Sequence, residues 1–263
     1  MNVVLGQFFP GTSVLHRLDP RTKLLLTLVL IVCIFLVRGF LGYGVLFLFI
    51  LLAARESKVR LKTLFKAVRP ILFIIALTVV LNVFFATGGT VLVRWSFVTI
   101  TKEGLINSAY MALRLILLVL GTQLLTLTTS PIALTDGLER LMSPLRRVGF
   151  PAHELAMMMS IALRFIPTLT EEADKIIKAQ KARGADFESG SLLKRARAML
   201  PILVPLFVSA FRRADELALA MEARCYRGGE HRTRMRILRF TRLDTLAFGL
   251  TGLVLALGVW LPV

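Results

Sequence analysis

The sequence is poor in acid, histidine and cysteine, and each scarcity removes a class of function. Two cysteines among 263 residues cannot build a disulfide scaffold. Cys33 lies in an apolar run and Cys225 in a basic helical segment, settings that do not suit a mutual bridge. The three histidines, His16, His153 and His231, are dispersed, with no HExxH and no Cys/His cluster, so no metal site is expected. No G-x-x-x-x-G-K-[ST] occurs, so the chain is not expected to bind ATP by a P-loop, and no cofactor is expected to be bound directly. Asp and Glu are almost missing from the apolar stretches. A membrane enzyme acting on lipid head groups would therefore lack the clustered acids its chemistry needs. The N-terminal stretch up to Pro20 holds Pro10, Gly11, His16, Arg17 and Asp19 and no apolar h-region, so the first span is expected to stay as an anchor.

What is abundant is apolar surface and positive charge. Hydrophobic residues make up 56% of the chain and the mean hydropathy is +0.73, above the ~45–50% typical of a soluble domain. The formal charge is +17, from 33 Lys+Arg against 16 Asp+Glu. In a soluble protein that excess would suggest nucleic acid. In a membrane protein it reports topology, because Lys and Arg collect in cytoplasmic loops, and no nucleic acid is expected.

Four apolar stretches precede residue 130. Leu24 to Val37 and Gly39 to Ala54 are separated by Arg38 and a glycine-rich corner. Read as one helix, residues 24–54 would extend about 46 Å, far beyond a bilayer core. It would also carry the cluster Arg55, Lys58, Arg60, Lys62, Lys66 and Arg69 outside. A hairpin of two short spans is expected instead. The third span is placed near Ile71 to Ala86, after Pro70. Gly88–Gly89 and Val91–Ile100 follow as an external turn with β-like alternation. A fourth helix, Leu105 to Thr129, returns the chain to the cytoplasm, and the last span is Leu243 to Val263. The N-terminus is thus expected inside and the C-terminus outside.

Residues 130–242 differ in kind. They hold 20 of the 33 Lys+Arg and 12 of the 16 acids, too much charge for a span, yet their apolar residues recur at helical spacing. Leu155, Met159, Ala162, Ile166, Leu169, Ala173 and Ile176 alternate steps of four and three. That predicts a partner-binding face on a long helix kinked at Pro167. A shorter helix, Leu134 to Arg147, precedes it, and a second long one runs from Leu192 to Arg224 past Pro201 and Pro205. The expected fold is an all-α integral membrane protein of about five transmembrane and three cytoplasmic amphipathic helices.

The two long helices share a local duplication, with Ala173 of the first in register with Ala214 of the second. Residues 173–184 read ADKIIKAQKARG and residues 214–225 read ADELALAMEARC, identical at five of twelve positions. Each copy ends in an arginine beside small residues, Arg183 and Arg224. An arginine at a helix C-terminus gains ~0.3–1 kcal/mol from the helix dipole alone. Two in one repeat suit a partner with two similar sockets, into which each guanidinium fork can make several charge-assisted hydrogen bonds. Gly184 is a typical helix stop; the second copy lacks one until Gly228–Gly229.

Ala182-Arg183-Gly184 and Ala223-Arg224-Cys225 resemble the paired Ala-Arg-Gly signatures of the transmembrane T subunit of energy-coupling factor (ECF) transporters. Leu18-Asp19-Pro20-Arg21-Thr22-Lys23, Ser130-Pro131 and Ala162-Leu163-Arg164-Phe165-Ile166-Pro167 resemble that family too, and the likeness covers essentially the whole chain. Cys225 departs from it, standing where the family often has glycine. The resemblance implies a non-catalytic scaffold in a bacterial or archaeal plasma membrane. Two cytoplasmic ABC-type ATPases would each receive one signature, Ala182, Arg183 and Gly184 or Ala223, Arg224 and Cys225. Their ATP-driven closure would tilt a small membrane protein that captures a vitamin or metal ion. The domains implied are residues 1–129, a membrane domain of four spans; 130–230, a cytoplasmic coupling domain; and 231–263, a basic juxtamembrane segment with the last span.

Other features attach less directly. Met157, Met158 and Met159 form a soft surface suited to several partners. Leu155, Met158, Met159, Ala162 and Ile166 are the residues expected to meet the substrate-binding subunit. Arg114, about ten residues into the fourth span, is expected to snorkel to the outer interface or bond a loop carbonyl. Its alternative role is in a stand-alone carrier or insertase with a hydrated groove. The run Arg232, Arg234, Arg236, Arg239 and Arg242 reads as a topology signal and an anionic-lipid contact. Asp136, Glu139, Arg146 and Arg147 are expected on a solvated helix face.

Overall fold

The computed structural model describes residues 8–37, 39–85, 90–95, 98–187, 189, 191–228 and 238–260. These fall into two compact units, Gly6–Gly137 with Ile237–Val263, and Leu138–Arg236.

In the first unit a one-turn helix, α1 (Val14–Arg17), leads into α2 (Pro20–Leu36) and α3 (Phe40–Glu56). Asp19 caps α2, its carboxylate accepting from the Arg21 N–H with Pro20 at the first helical position, where no donor is lost. Two separate helices occupy the stretch where two short spans are expected. Each helix has 17 residues. α4 (Leu61–Lys66) and a 3-10 turn at Arg69–Ile71 feed α5 (Leu72–Phe85). Helical structure in this third segment therefore begins at Leu61, well before the expected Ile71. Strands β1 (Val91–Trp95) and β2 (Val98–Thr101) pair antiparallel, Val91 with Thr101 and Trp95 with Val98. That gives form to the β-like alternation; Gly88–Gly89 lie outside the described residues.

α6 (Lys102–Thr128) starts ahead of the expected Leu105, because the Thr101 side chain accepts from the Gly104 N–H and caps it. α7 (Pro131–Met142), α8 (Ala152–Ala182), α9 (Leu192–Ala223) and α10 (Arg242–Trp260) follow. Among the described residues three stretches are long and apolar enough to cross a bilayer: Leu61–Phe84, Lys102–Thr128 and Arg242–Trp260. The chain is an all-α membrane protein carrying one short β-hairpin. Arg232, Arg234 and Arg236 of the basic run, and the end of the final span after Trp260, lie outside the described residues.

The core of this unit joins Ile34, Leu46, Ile50, Leu64, Leu117, Leu120 and Leu127, all essentially inaccessible. Gly42 of α3 meets Gly258 of α10 so closely that a methyl group on Gly42 would overlap the Gly258 carbonyl oxygen. Glycine is what permits that approach. Arg114 donates from Nη2 to the Tyr43 hydroxyl at 3.2 Å and stacks over Phe35 at 5.1 Å. Tyr43 in turn donates to the Ile34 carbonyl. The arginine thus meets the side chains of Phe35 and Tyr43 rather than a loop carbonyl.

One end of the bundle is closed by a buried polar junction. Asp244 is almost fully buried and accepts from the Thr241 N–H and hydroxyl and, at 2.9 Å, from the Asp19 N–H. Arg21 grips Asp19 through two nitrogens, reaches the Leu238 carbonyl and covers the Phe240 ring. Lys23 donates to the Thr128 carbonyl at 2.9 Å, at the C-terminus of α6, where a cation is favoured. The Leu18–Lys23 stretch therefore ties together the ends of α2, α6 and α10.

Candidate functional site

The second unit is built on α8, of 31 residues, and α9, of 32 residues. Ser191 caps α9, its hydroxyl accepting from the Lys194 N–H. α8 runs unbroken through Pro167, and α9 through Pro201 and Pro205. Both begin close to where their patterns place them. The shorter α7 does not: Pro131 starts it ahead of the expected Leu134, and Pro144 turns its end into a 3-10 helix, Ser143–Val148.

At Arg183 and Arg224 the two helices stop in the same way. Arg183 has φ −85° and ψ 7°; Arg224 has φ −92° and ψ 11°. The next residue turns left-handed in both copies, Gly184 at φ 85° and Cys225 at φ 53°. In the first copy the Gly184 N–H donates to the Lys181 carbonyl and the Ala185 N–H to Gln180. In the second, the Cys225 N–H donates to Glu222 and the Tyr226 N–H to Met221. This is one Schellman motif made twice, bond for bond, once in each copy of the repeat. Cys225 does what its glycine counterpart does, although a side chain at positive φ costs ~1–2 kcal/mol. The missing glycine therefore leaves the helix end intact.

Ala182, Arg183 and Gly184 are all exposed, and so are Ala223, Arg224 and Cys225. Among the described residues neither guanidinium is held in an ion pair, so both arginines project from equivalent, rigidly terminated helix ends. Beside the second end, Met157 and Ile161 of α8 and Met221, Arg224, Cys225 and Tyr226 line an open recess of about 550 Å³.

The predicted partner face of α8 is also open over its first half. Met158, Met159, Ala162 and Ile166 are exposed and Leu155 is half-buried. Met157 faces away from them into the recess.

Two contacts were not anticipated. Glu139 is not on a solvated face: it is buried and its Oε1 lies 2.8 Å from His153 Nδ1. An acid on α7 whose partner stands on α8 leaves no helical-period signal. The second is an ion pair between α8 and α9, Glu172 Oε2 to Arg213 Nη2, at 2.9 Å. Its positions are one repeat apart, a signal present in the spacing but carried by opposite charges rather than by identity. Ser209 also bonds Glu172 and, ahead of Arg213, holds its carboxyl below the usual carboxylate range.

A bundle of apolar helices with a basic unit offering twin exposed arginines defines an all-α integral membrane protein. The family model described as CbiQ, cobalt transport protein, matches residues 11–235. The chain belongs to this family. It is 58% identical over 252 residues to the energy-coupling factor transporter transmembrane protein EcfT of Thermosediminibacter oceani, covering 96% of this chain and 95% of that one. The protein of the same name from Clostridium kluyveri is 54% identical over 255 residues, 97% and 94% of the two chains. That of Brevibacillus brevis is 53% identical over 260 residues, 98% of each. The resemblance seen in the sequence is thereby established.

Proposed function

We propose that this chain is the non-catalytic transmembrane subunit of an ECF-type importer, passing the motion of two ABC-type ATPases to a small substrate-binding membrane subunit. One observation carries the reading: Arg183 and Arg224 stand at helix ends of matching hydrogen-bonded geometry. Two like sockets, one on each of two homologous ATPases, are the natural complement to two like plugs. The Schellman turn fixes the direction in which each arginine leaves its helix, so little order has to be imposed on docking. The guanidinium can then make the bidentate, charge-assisted bonds for which its fork is built.

A rigid helix of about 30 residues is a lever some 45 Å long. Displacement at Arg183 is carried along α8 to Leu155, Met158, Met159, Ala162 and Ile166, which form the contact for the substrate-binding subunit. Residues 130–230 are the coupling domain in this scheme, facing the cytoplasm with the N-terminus, while the C-terminus lies outside. The cargo, a vitamin or a metal ion, is selected by the partner, and ATP is bound by the ATPases.

Purification of the tagged full-length chain from its host membrane tests this. Two distinct ATPase subunits are expected to accompany it, and Arg183→Glu with Arg224→Glu is expected to release both. Full retention of both ATPases by the double variant would overturn the reading.

A further inference from the structure

The turn between α3 and α5 carries a dense cluster of cations. Residues 55–69 hold Arg55, Lys58, Arg60, Lys62, Lys66 and Arg69 against one acid, Glu56, and no further acid occurs before Glu103. All six cations are exposed, and among the described residues none is held in an ion pair with Glu56 or with any other acid. The turn that presents them is fixed. Buried Ser57 donates its N–H to the Ala53 carbonyl and its hydroxyl to the Ala54 carbonyl, and its oxygen accepts from the Val59 N–H. Lys58 is held left-handed at φ 57°, its N–H donating to the Arg55 carbonyl. A lysine keeps that conformation only where its surroundings impose it.

Three pairs of residues four apart divide the surface of α4 and the turn after it. Leu64 and Val68 are buried in the bundle core. Leu61 and Phe65 are exposed, and so are Lys62 and Lys66. At about 100° per residue the exposed apolar pair lies between the buried pair and the cationic pair. The opposite flank carries Thr63 and the C-cap Ala67, neither of them charged. Exposed apolar surface continues from Phe65 to Leu72, Phe73 and Ile74 at the start of α5. The apolar stretch Leu61–Phe84 has 24 residues, about 36 Å of helix against a bilayer core of about 30 Å. Its first turns therefore stand at headgroup level when α5 crosses the core. There Leu61 and Phe65 reach the acyl boundary, while Lys62, Lys66 and Arg69 reach phosphate. An acidic protein segment would meet the cations and leave the apolar edge bare, so lipid is the better match.

We propose that the α3–α5 turn is a binding site for anionic phospholipid. Lys62, Lys66 and Arg69 hold the headgroup phosphate, with Arg55, Lys58 and Arg60 beside them, and Leu61 and Phe65 enter the acyl boundary. The site shares no residue with the Arg183 and Arg224 helix ends or with the exposed face of α8, so it stands whichever proteins dock there.

The test uses the full-length chain carrying Cys33→Ala and Cys225→Gly, with Phe65→Cys labelled by a small fluorophore. Leu61→Cys is a second reporter should the first fold poorly. The protein is placed in phosphatidylcholine nanodiscs containing a small share of lipid spin-labelled near the glycerol end of one acyl chain, either phosphatidylglycerol or phosphatidylcholine. At equal amounts, labelled phosphatidylglycerol is expected to quench the reporter several-fold more than labelled phosphatidylcholine. Unlabelled phosphatidylglycerol should compete this preference away, and free inorganic phosphate at millimolar concentration should not. Lys62→Gln, Lys66→Gln and Arg69→Gln together should make the two lipids equal. Lys175→Gln, Lys178→Gln and Lys194→Gln, an equal loss of charge on α8 and α9, should leave the preference as it was. Four results overturn the proposal: equal quenching by the two lipids with all cations in place; a preference that survives the three substitutions in the turn; a preference lost equally in the control; or quenching by neither lipid, which would assign the cations to an acidic protein partner.

Discussion

Arg213 Nη2 lies 2.9 Å from Glu172 Oε2, and the two residues are equivalent positions of the duplication that relates α8 to α9. A contact between equivalent positions is what a two-fold-like pairing of duplicated helices requires at its axis. The pair therefore marks the pivot about which α8 and α9 meet. Solvent screens such a pair, so its removal by Glu172→Gln is expected to leave the melting temperature nearly unchanged. Glu172→Arg instead sets two arginines face to face and should speed hydrogen exchange at residues 168–176 and 209–217. Adding Arg213→Glu reverses the pair and should restore the original rates. No recovery would mean that the pair does not define the pivot.

The same carboxylate makes the pivot sensitive to acid. Ser209 first, then Arg213, hold the Glu172 carboxyl below its ordinary value. A group lowered in the folded state stabilises above the unfolded pKa, and that contribution is lost as pH falls through the folded value. Hydrogen exchange along residues 165–175 and 205–215, corrected for its intrinsic pH dependence, should show constant protection between about pH 8 and pH 6, then a slight loss below about pH 4, small because solvent screens the pair. In Glu172→Gln the loss is expected to shrink, and its persistence at full size would assign it to other acids.

Cys225 and Gly184 occupy one backbone conformation with opposite fitness for it. Cys225→Gly removes a side chain from positive φ and should stabilise the α9 end by ~1 kcal/mol, whereas Gly184→Val should cost at least as much at the α8 end. Urea titration of the purified chain, followed by exchange at residues 220–226 and 179–185, distinguishes the two. Equal effects of both substitutions would contradict the matched turns.

Asp244 anchors the junction at the end of the bundle. Asp244→Ala leaves the Asp19 N–H and the Thr241 groups unpaired and removes a buried negative charge near Lys23, and should cost ~3 kcal/mol. Asp244→Asn, which retains acceptors, should cost less. The melting temperature in detergent measures both, and an unchanged value for Asp244→Ala would place the stability elsewhere.

Much of this architecture is visible in the sequence, for identifiable reasons. Apolar runs and the cost of burying Lys or Arg in lipid locate α2, α3, α5, α6 and α10. The alternation of three and four locates α8, and the Ala-Arg pair repeated at Ala182 and Ala223 locates both helix ends. Boundaries moved where a local cap outweighed hydropathy, as at Thr101 for α6 and Pro131 for α7. Asp244 escaped notice because its partner Asp19 stands at the opposite end of the chain, and Glu139 because His153 meets it only through tertiary folding. The left-handed turn at Cys225 could not be read from residue type, because composition there argues against the conformation that the hydrogen bonds impose.

In the proposed arrangement the two helix ends are separate docking points for two ATPases. Photo-crosslinking residues at Ala182 and at Ala223, one at a time in the assembled complex, test it most directly. Each position is predicted to capture one ATPase, and the two positions to capture different ones. No crosslink from either position, with both ATPases still bound to the chain, would contradict it.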